Sequence, residues 1–172
     1  MGKNIYQTIH TVTPKIFDFI KNQKNAKAIK HLEQQPEEIN LKGWRDDTPL
    51  HVASEYGNVE LVRYLLDHGA AVNALRSSVY ETTPLCWAKT GEIAALLLDA
   101  GATLHPRALE MATREDRPTV IDELLARGAE INQASPQFMY CQSEEALKVY
   151  LDHGVDVSSM NKNGGPIVHP QV

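Results

Sequence analysis

Apolar positions along residues 46–73 fall into two short helical phases with a break between them. The stretch reads DDTPLHVASEYGNVELVRYLLDHGAAVN. Leu50, Val52 and Ala53 give the first phase its apolar side, and Val59, Leu61, Val62, Leu65 and Leu66 recur at helical spacing in the second. Thr48-Pro49 opens the first helix, because Thr can cap it and the missing Pro N–H costs nothing in the first turn. Gly57-Asn58 breaks the pattern. Asp67-His68-Gly69 ends the second helix, with Gly69 suited to the left-handed position that follows a helix. Each helix spans about two to three turns and would be marginal alone in water. A unit of this kind needs neighbours of its own sort.

Copies of it occur. Runs equivalent to Gly69-Ala70-Ala71-Val72-Asn73 stand at Gly101 to His105, Gly128 to Asn132 and Gly154 to Ser158, with a fainter one at Pro36 to Asn40. Apolar pairs precede the clearer four: Leu65-Leu66, Leu97-Leu98, Leu124-Leu125 and Tyr150-Leu151. The run ends at residues 40, 73, 105, 132 and 158 are separated by 33, 32, 27 and 26 positions, which defines an internal repeat.

Thr48-Pro49-Leu50-His51-Val52-Ala53, with Gly57, Leu65-Leu66 and Gly69-Ala70 in phase behind it, resembles the ankyrin repeat family over about residues 14–169. The second copy keeps Thr83-Pro84-Leu85 but carries Cys86 where His is usual. The resemblance implies an all-α solenoid of about five stacked helix–turn–helix repeats. Residues 14–40 read as a degenerate capping repeat, and 41–73, 74–105, 106–132 and 133–158 as the others. Residues 1–13 form an N-terminal extension, and 159–172 a tail or a truncated repeat. In 74–105 the helix pair is three residues shorter than in 41–73, and the missing turn is expected at Thr90-Gly91-Glu92. The 106–132 copy lacks about six loop residues, so no extended hairpin is expected before it, and 133–158 is similar. Pro106 and Pro118 open the two helices of 106–132, and Ser143 opens the last.

Composition narrows the class. The chain has 172 residues, 42% hydrophobic and 23% charged, as in ordinary globular domains. No apolar run is long enough to cross a bilayer. The first ten residues lack the apolar core of a signal peptide, and Tyr6 spoils a myristoylation motif at Gly2. The formal charge is −5, with eight Lys/Arg against four acids in residues 1–45 and the acidic excess beyond. That distribution argues against nucleic-acid binding. Lys21, Lys24, Lys27 and Lys30 suit the solvated outer face of a terminal cap.

Candidate chemistry is sparse. The family places the signature His51 and Thr48 as braces of the hairpin, and His68 and His153 stand at helix ends, where a cation is favoured. No metal-binding spacing of His and Cys occurs, and the glycines make no phosphate-binding loop. Cys86 and Cys141 read as reduced, inert thiols. The expectation is therefore no enzyme, no cofactor and no metal.

What remains is a surface. The resemblance implies that loop tips and first helices line a concave face that takes protein partners. On this register that face carries Trp44, Arg45, Asp47, Glu55, Tyr56, Arg76, Tyr80, Thr82, Lys89, Arg114 and Glu115. Trp44, Arg45, Tyr56 and Tyr80 are expected to cluster as anchors, since Trp, Tyr and Arg dominate binding energy. Packing of Trp44 back onto the first repeat stays open as the alternative. Trp87 is expected in the core or in the packing between repeats. The function expected is a monomeric, non-catalytic protein–protein interaction module, an adaptor, scaffold or bacterial effector. The alternative is an inhibitor or immunity protein that occludes an enzyme. The expected location is the cytoplasm, or the host cytosol for an effector, with no nucleic acid and no membrane as partner.

Overall fold

The computed structural model describes residues 14–77, 81–131 and 137–155. Five helical pairs follow one another. The first is α1 (Lys15–Lys21) with α2 (Asn25–Gln34), and the second α3 (Pro49–Tyr56) with α4 (Val59–Asp67). In the third, a 3₁₀ turn (Pro84–Trp87) precedes α5 (Gly91–Asp99). The fourth is α6 (Pro106–Arg114) with α7 (Pro118–Ala126), and in the last a 3₁₀ turn (Gln137–Tyr140) precedes α8 (Glu144–Asp152). First elements pack on first elements and second helices on second helices, so the pairs stack in two layers. The all-α repeat solenoid that the resemblance implies is what forms.

The apolar phases become a continuous core. Ile16, Phe17 and Ile20 start it; Leu50, Leu61, Val62 and Leu65 continue it; Leu85, Ile93, Leu97, Leu109, Ile121, Leu124 and Tyr150 carry it to the last pair. Lys21, Lys24, Lys27 and Lys30 all stay exposed on the first pair. Gly57, Gly69, Gly101, Gly128 and Gly154 all have positive φ, so the helix-ending glycines serve one geometric purpose throughout.

The asparagines at the run ends do more than mark the register. Asn40 Nδ2 donates to the Gly69 carbonyl at 3.1 Å, and its Oδ1 accepts from Ala71 N–H at 2.8 Å. Asn73 repeats both bonds one unit on, to Gly101 O at 3.0 Å and from Thr103 N–H at 2.9 Å. Each side-chain amide thus satisfies two backbone groups of the next unit that a neighbour must otherwise supply. His105, in the third such place, instead caps α6, its Nδ1 accepting from Arg107 N–H at 3.2 Å. The chain enters α6 directly at Pro106, so no hairpin intervenes there. Ser143 caps α8 as expected, accepting from Ala146 N–H at 3.1 Å.

His51 is the brace that the motif implies. Its Nδ1 accepts from Thr48 N–H at 3.2 Å, and its own N–H reaches Thr48 Oγ1 at 3.4 Å. With Nδ1 accepting, the ring proton sits on Nε2, which donates to the Thr82 carbonyl of the next unit at 3.3 Å. Burial drives the His51 pKa down to about 4. Cys86 cannot repeat this double role. Its thiol lies 3.7 Å from Thr83 Oγ1, and the element there is one 3₁₀ turn rather than a helix.

That turn corrects one expectation. The residues missing from 74–105 are lost from its first element, before Ala88-Lys89, and not at Thr90-Gly91-Glu92. Thr90 caps a full nine-residue α5, accepting from Ile93 N–H at 3.3 Å. Gly91 is needed there because a Cβ would lie 2.6 Å from the Thr119 carbonyl oxygen. Gly91→Ala should therefore destabilise the fold by about 1–3 kcal/mol, as overpacking against backbone does. Urea unfolding checks this; a stability equal to or above the parent would mean that α5 and α7 do not approach so closely.

The helix-end histidines differ from each other. His68 follows α4, donates from Nδ1 to the Tyr64 carbonyl at 2.7 Å and stacks on the Tyr64 ring at 4.0 Å. His153 follows α8 and pairs with Asp122 of the preceding unit at 2.7 Å.

Candidate protein-binding face

The face in question is built from the loops entering each unit and the ends of the first-layer elements. It starts at a tight turn. Gly43 N–H donates to Asp47 O at 2.7 Å, and between them Arg45 and Asp46 sit at φ +63° and +58°. Two successive left-handed residues that are not Gly are uncommon and cost free energy. A Cβ on Gly43 would meet the Phe17 ring at 2.8 Å, so Phe17 already fills the space under the turn. Trp44 accordingly does not pack back on the first unit. It is 81% exposed, with the Arg45 guanidinium 5.3 Å from its ring centroid.

The next loop is tied to this one, Ser77 N–H donating to the Arg45 carbonyl at 2.8 Å. Arg76 and Thr82 form an antiparallel bridge, closed by Arg76 N–H to Thr82 O at 2.9 Å. Three of the expected contact residues turn inward here. Arg76 lies 2.5 Å (Nε–Oδ1) and 3.0 Å (Nη2–Oδ2) from the Asp47 carboxylate, and its guanidinium lies 4.3 Å over the Trp87 ring. The Trp87 N–H donates to Thr82 Oγ1 at 3.0 Å. Arg76 and Thr82 are buried and Asp47 half-buried. Burial pushes the Asp47 carboxyl up, against the pull of Arg76. These three residues join adjacent units. Trp87 is half-buried and packs against the core.

Beyond the brace, the line continues along the ends of the first layer. Glu55 and Tyr56 close α3, Glu55 half-buried and Tyr56 38% exposed. Burial raises the Glu55 carboxyl above the ordinary range, while Arg76 pulls it back. Lys89 is exposed, its N–H donating to the Ser54 carbonyl at 3.1 Å. Arg114 is exposed, pairs with Glu110 at 3.1 Å and lies 4.0 Å over the Tyr140 ring. Glu115 is exposed and pairs with Arg117, whose Nη1 donates to the Ala88 carbonyl at 2.9 Å. Tyr80 lies outside the described residues. Trp44 precedes α3 and Tyr56 closes it, so the eight-residue helix, roughly 12 Å long, lies between them in the chain.

Among the described residues, the exposed large apolar side chains absent from the sequence-derived set are Leu75, Met139, Tyr140 and Leu151. Tyr140 closes its first-layer element as Tyr56 closes α3, so the repeat register alone could have flagged it. Among the described residues, no group of three or more His, Cys, Asp or Glu side chains could hold a metal ion. Burial raises both thiols, Cys141 to about 11. No helix among the described residues is long and apolar enough to cross a membrane.

The stacked pairs and their carbonyl-bridging side chains define a helical repeat solenoid. The model of ankyrin repeats (three copies) matches residues 17–108, and the chain belongs to the ankyrin repeat family. Among curated proteins it is 42% identical over 50 residues to a putative ankyrin repeat protein of fowlpox virus, covering 29% of this chain and 26% of that one. It is 32% identical over 97 residues to the NF-kappa-B inhibitor cactus of Drosophila melanogaster, covering 54% of this chain and 19% of that one. It is 40% identical over 65 residues to the serine/threonine-protein kinase VIK of Arabidopsis thaliana, covering 37% of this chain and 14% of the kinase. The chain thus spans about a quarter or less of the length of these relatives. As an ankyrin repeat protein it is a protein–protein interaction module.

Proposed function

We propose that this chain is a non-catalytic adaptor that holds a protein partner against the face running from Trp44 to Tyr140. The observation that carries the reading is Trp44, 81% exposed on a turn whose strained residues are held by the next unit. A large apolar ring in water, fixed by a rigid support, is the type of group that dominates binding energy. A second reading has a specific support. The relative cactus is named an inhibitor, and an inhibitor would use the same face to cover a partner's working surface.

The test starts from affinity purification with mass spectrometry to identify the partner. Calorimetry then compares the parent with a variant carrying Ala at Trp44, Tyr56 and Tyr80. Binding should be lost while the circular dichroism and the melting midpoint stay; Trp44→Ala alone should weaken it at least about 30-fold. Unchanged affinity in the triple variant refutes the face. Loss of the partner's own activity in the complex would favour the inhibitor over the adaptor.

A further inference from the structure

Among the described residues, three aromatic rings have a guanidinium beside them: Trp44 has Arg45 at 5.3 Å, Trp87 has Arg76 at 4.3 Å and Tyr140 has Arg114 at 4.0 Å. Two of these cations also hold a carboxylate, Arg76 that of Asp47 at 2.5 Å and Arg114 that of Glu110 at 3.1 Å. A guanidinium on a ring still presents its N–H edge, and a carboxylate fits that edge through two hydrogen bonds. Arg76 makes both contacts at once, so one side chain of this protein already shows that ring and acid are compatible. Arg45 has the ring and no acid. It is exposed and makes no ion pair among the described residues.

Both acids that follow Arg45 in the turn are engaged elsewhere. Asp46 faces Lys42 at 4.0 Å, and Asp47 holds Arg76 through both oxygens, at 2.5 Å and 3.0 Å. Lys21 adds a further cation. It lies one helical turn after Phe17 on the same face of α1, and the Phe17 ring fills the space beneath Gly43. Lys21 is exposed and, like Arg45, makes no ion pair among the described residues. Lys21 and Arg45 both act on the Asp47 carboxyl that Arg76 already pairs, so three cations stand around one carboxylate. Arg45 is also held in place, its backbone at φ +63° and its carbonyl accepting from Ser77 N–H at 2.8 Å. An exposed ion pair alone contributes little. Beside Trp44 it contributes more, because an apolar group that covers the 81% exposed ring also shields the guanidinium from water.

Resting on the protein-binding reading above, we infer that Trp44 and Arg45, with Lys21 beside them, receive an acidic residue of the protein partner set next to an apolar one. The partner's carboxylate enters the Arg45 fork, and its apolar side chain covers the Trp44 ring. The formal charge of −5 would by itself attract a basic partner. The local surplus of cations at the turn selects the opposite sign at this contact.

A randomised display library of unphosphorylated peptides, selected on the full chain, tests this before any natural partner is identified. Selected peptides should share an Asp or Glu next to an apolar residue. Replacing that acid by its amide, which keeps the shape and removes the charge, should weaken binding at least about tenfold. Arg45→Gln should cost the same, and the two changes together little more than either alone, because they remove one interaction. Lys21→Gln should weaken binding about twofold, as loss of an exposed charge does. A thermal melt of the Arg45→Gln chain verifies that the fold persists, and the acid-to-amide change in the peptide decides the matter without touching the chain. Peptides that need Trp44 but tolerate both Arg45→Gln and the amide, or that set a Lys or Arg in place of the acid, would overturn the acid receptor and leave the binding face standing. A library that yields only binders indifferent to Trp44→Ala and Arg45→Gln, or no binders, would overturn both.

Discussion

Leu65→Ala should destabilise the fold by about 2–5 kcal/mol, read as a drop of roughly 1–2 M in the urea midpoint. Leu65 is fully buried, on α4, whose neighbours in the second layer are α2 and α5. Truncation leaves a cavity there, and helices held by capping and carbonyl bridges can close it only in part. A solenoid sharpens the effect, since each unit is stable only through contact with its neighbours. Weakening the second unit therefore loosens its junctions on both sides. Leu66→Ala is the control: same residue type, adjacent position, but only half-buried. It should cost clearly less. Equal shifts for the two variants would mean that the helical register assigned to α4 is wrong.

Much of this register is readable from residue types alone. Thr48-Pro49-Leu50-His51 announces a capped helix, and its side chains make the bonds that such a cap requires. The run-end asparagines mark the period without any reference to their bonding. Other features are hidden for physical reasons. Asp47, Arg76 and Thr82 are polar residues in loops, a composition that ordinarily means solvent, yet Arg76 pairs with Asp47 and the Thr82 carbonyl accepts from His51, each across units. Nothing local to Arg76 reveals Asp47, which is 29 positions away. The placement of Trp44 depends on whether another ring already occupies the space beneath Gly43, and Phe17, from a different unit, does. The shortening of 74–105 falls one segment earlier than expected, because a spacing fixes only the total length of the pair, and α5 keeps nine residues while the first element shrinks to one 3₁₀ turn. Short-range patterning thus shows each unit, and the contacts between units decide which of its polar residues reach the surface.

The second large effect concerns pH. The stability of the folded chain should fall by roughly 3 kcal/mol, on account of His51 alone, as pH drops from about 6.5 to about 4. The neutral ring is fully used: Nδ1 accepts from Thr48 N–H and Nε2 donates to the Thr82 carbonyl. A second proton on Nδ1 would face the Thr48 N–H instead of accepting from it, in a buried site. The folded pKa is therefore depressed to about 4, while the unfolded chain protonates near 6.5. Above pH 6.5 both states hold a neutral ring and the full contribution is present. Between those values the unfolded state binds the extra proton and gains free energy. Below about 4 both states are charged, and His51 adds no further slope. Asp47 and Glu55 act in the opposite direction, because their raised carboxyl pKa values favour protonation of the folded state as pH falls. Subtracting curves separates these contributions. His51→Gln should be less stable at pH 7 by about 1–3 kcal/mol, the cost of disturbing buried hydrogen bonds. It should also lose the His51 part of the pH slope, so that the difference between parent and variant narrows from pH 6.5 to 4. Parallel curves across that window would show that His51 is not held neutral, and the brace between the second and third units would have to be reassigned.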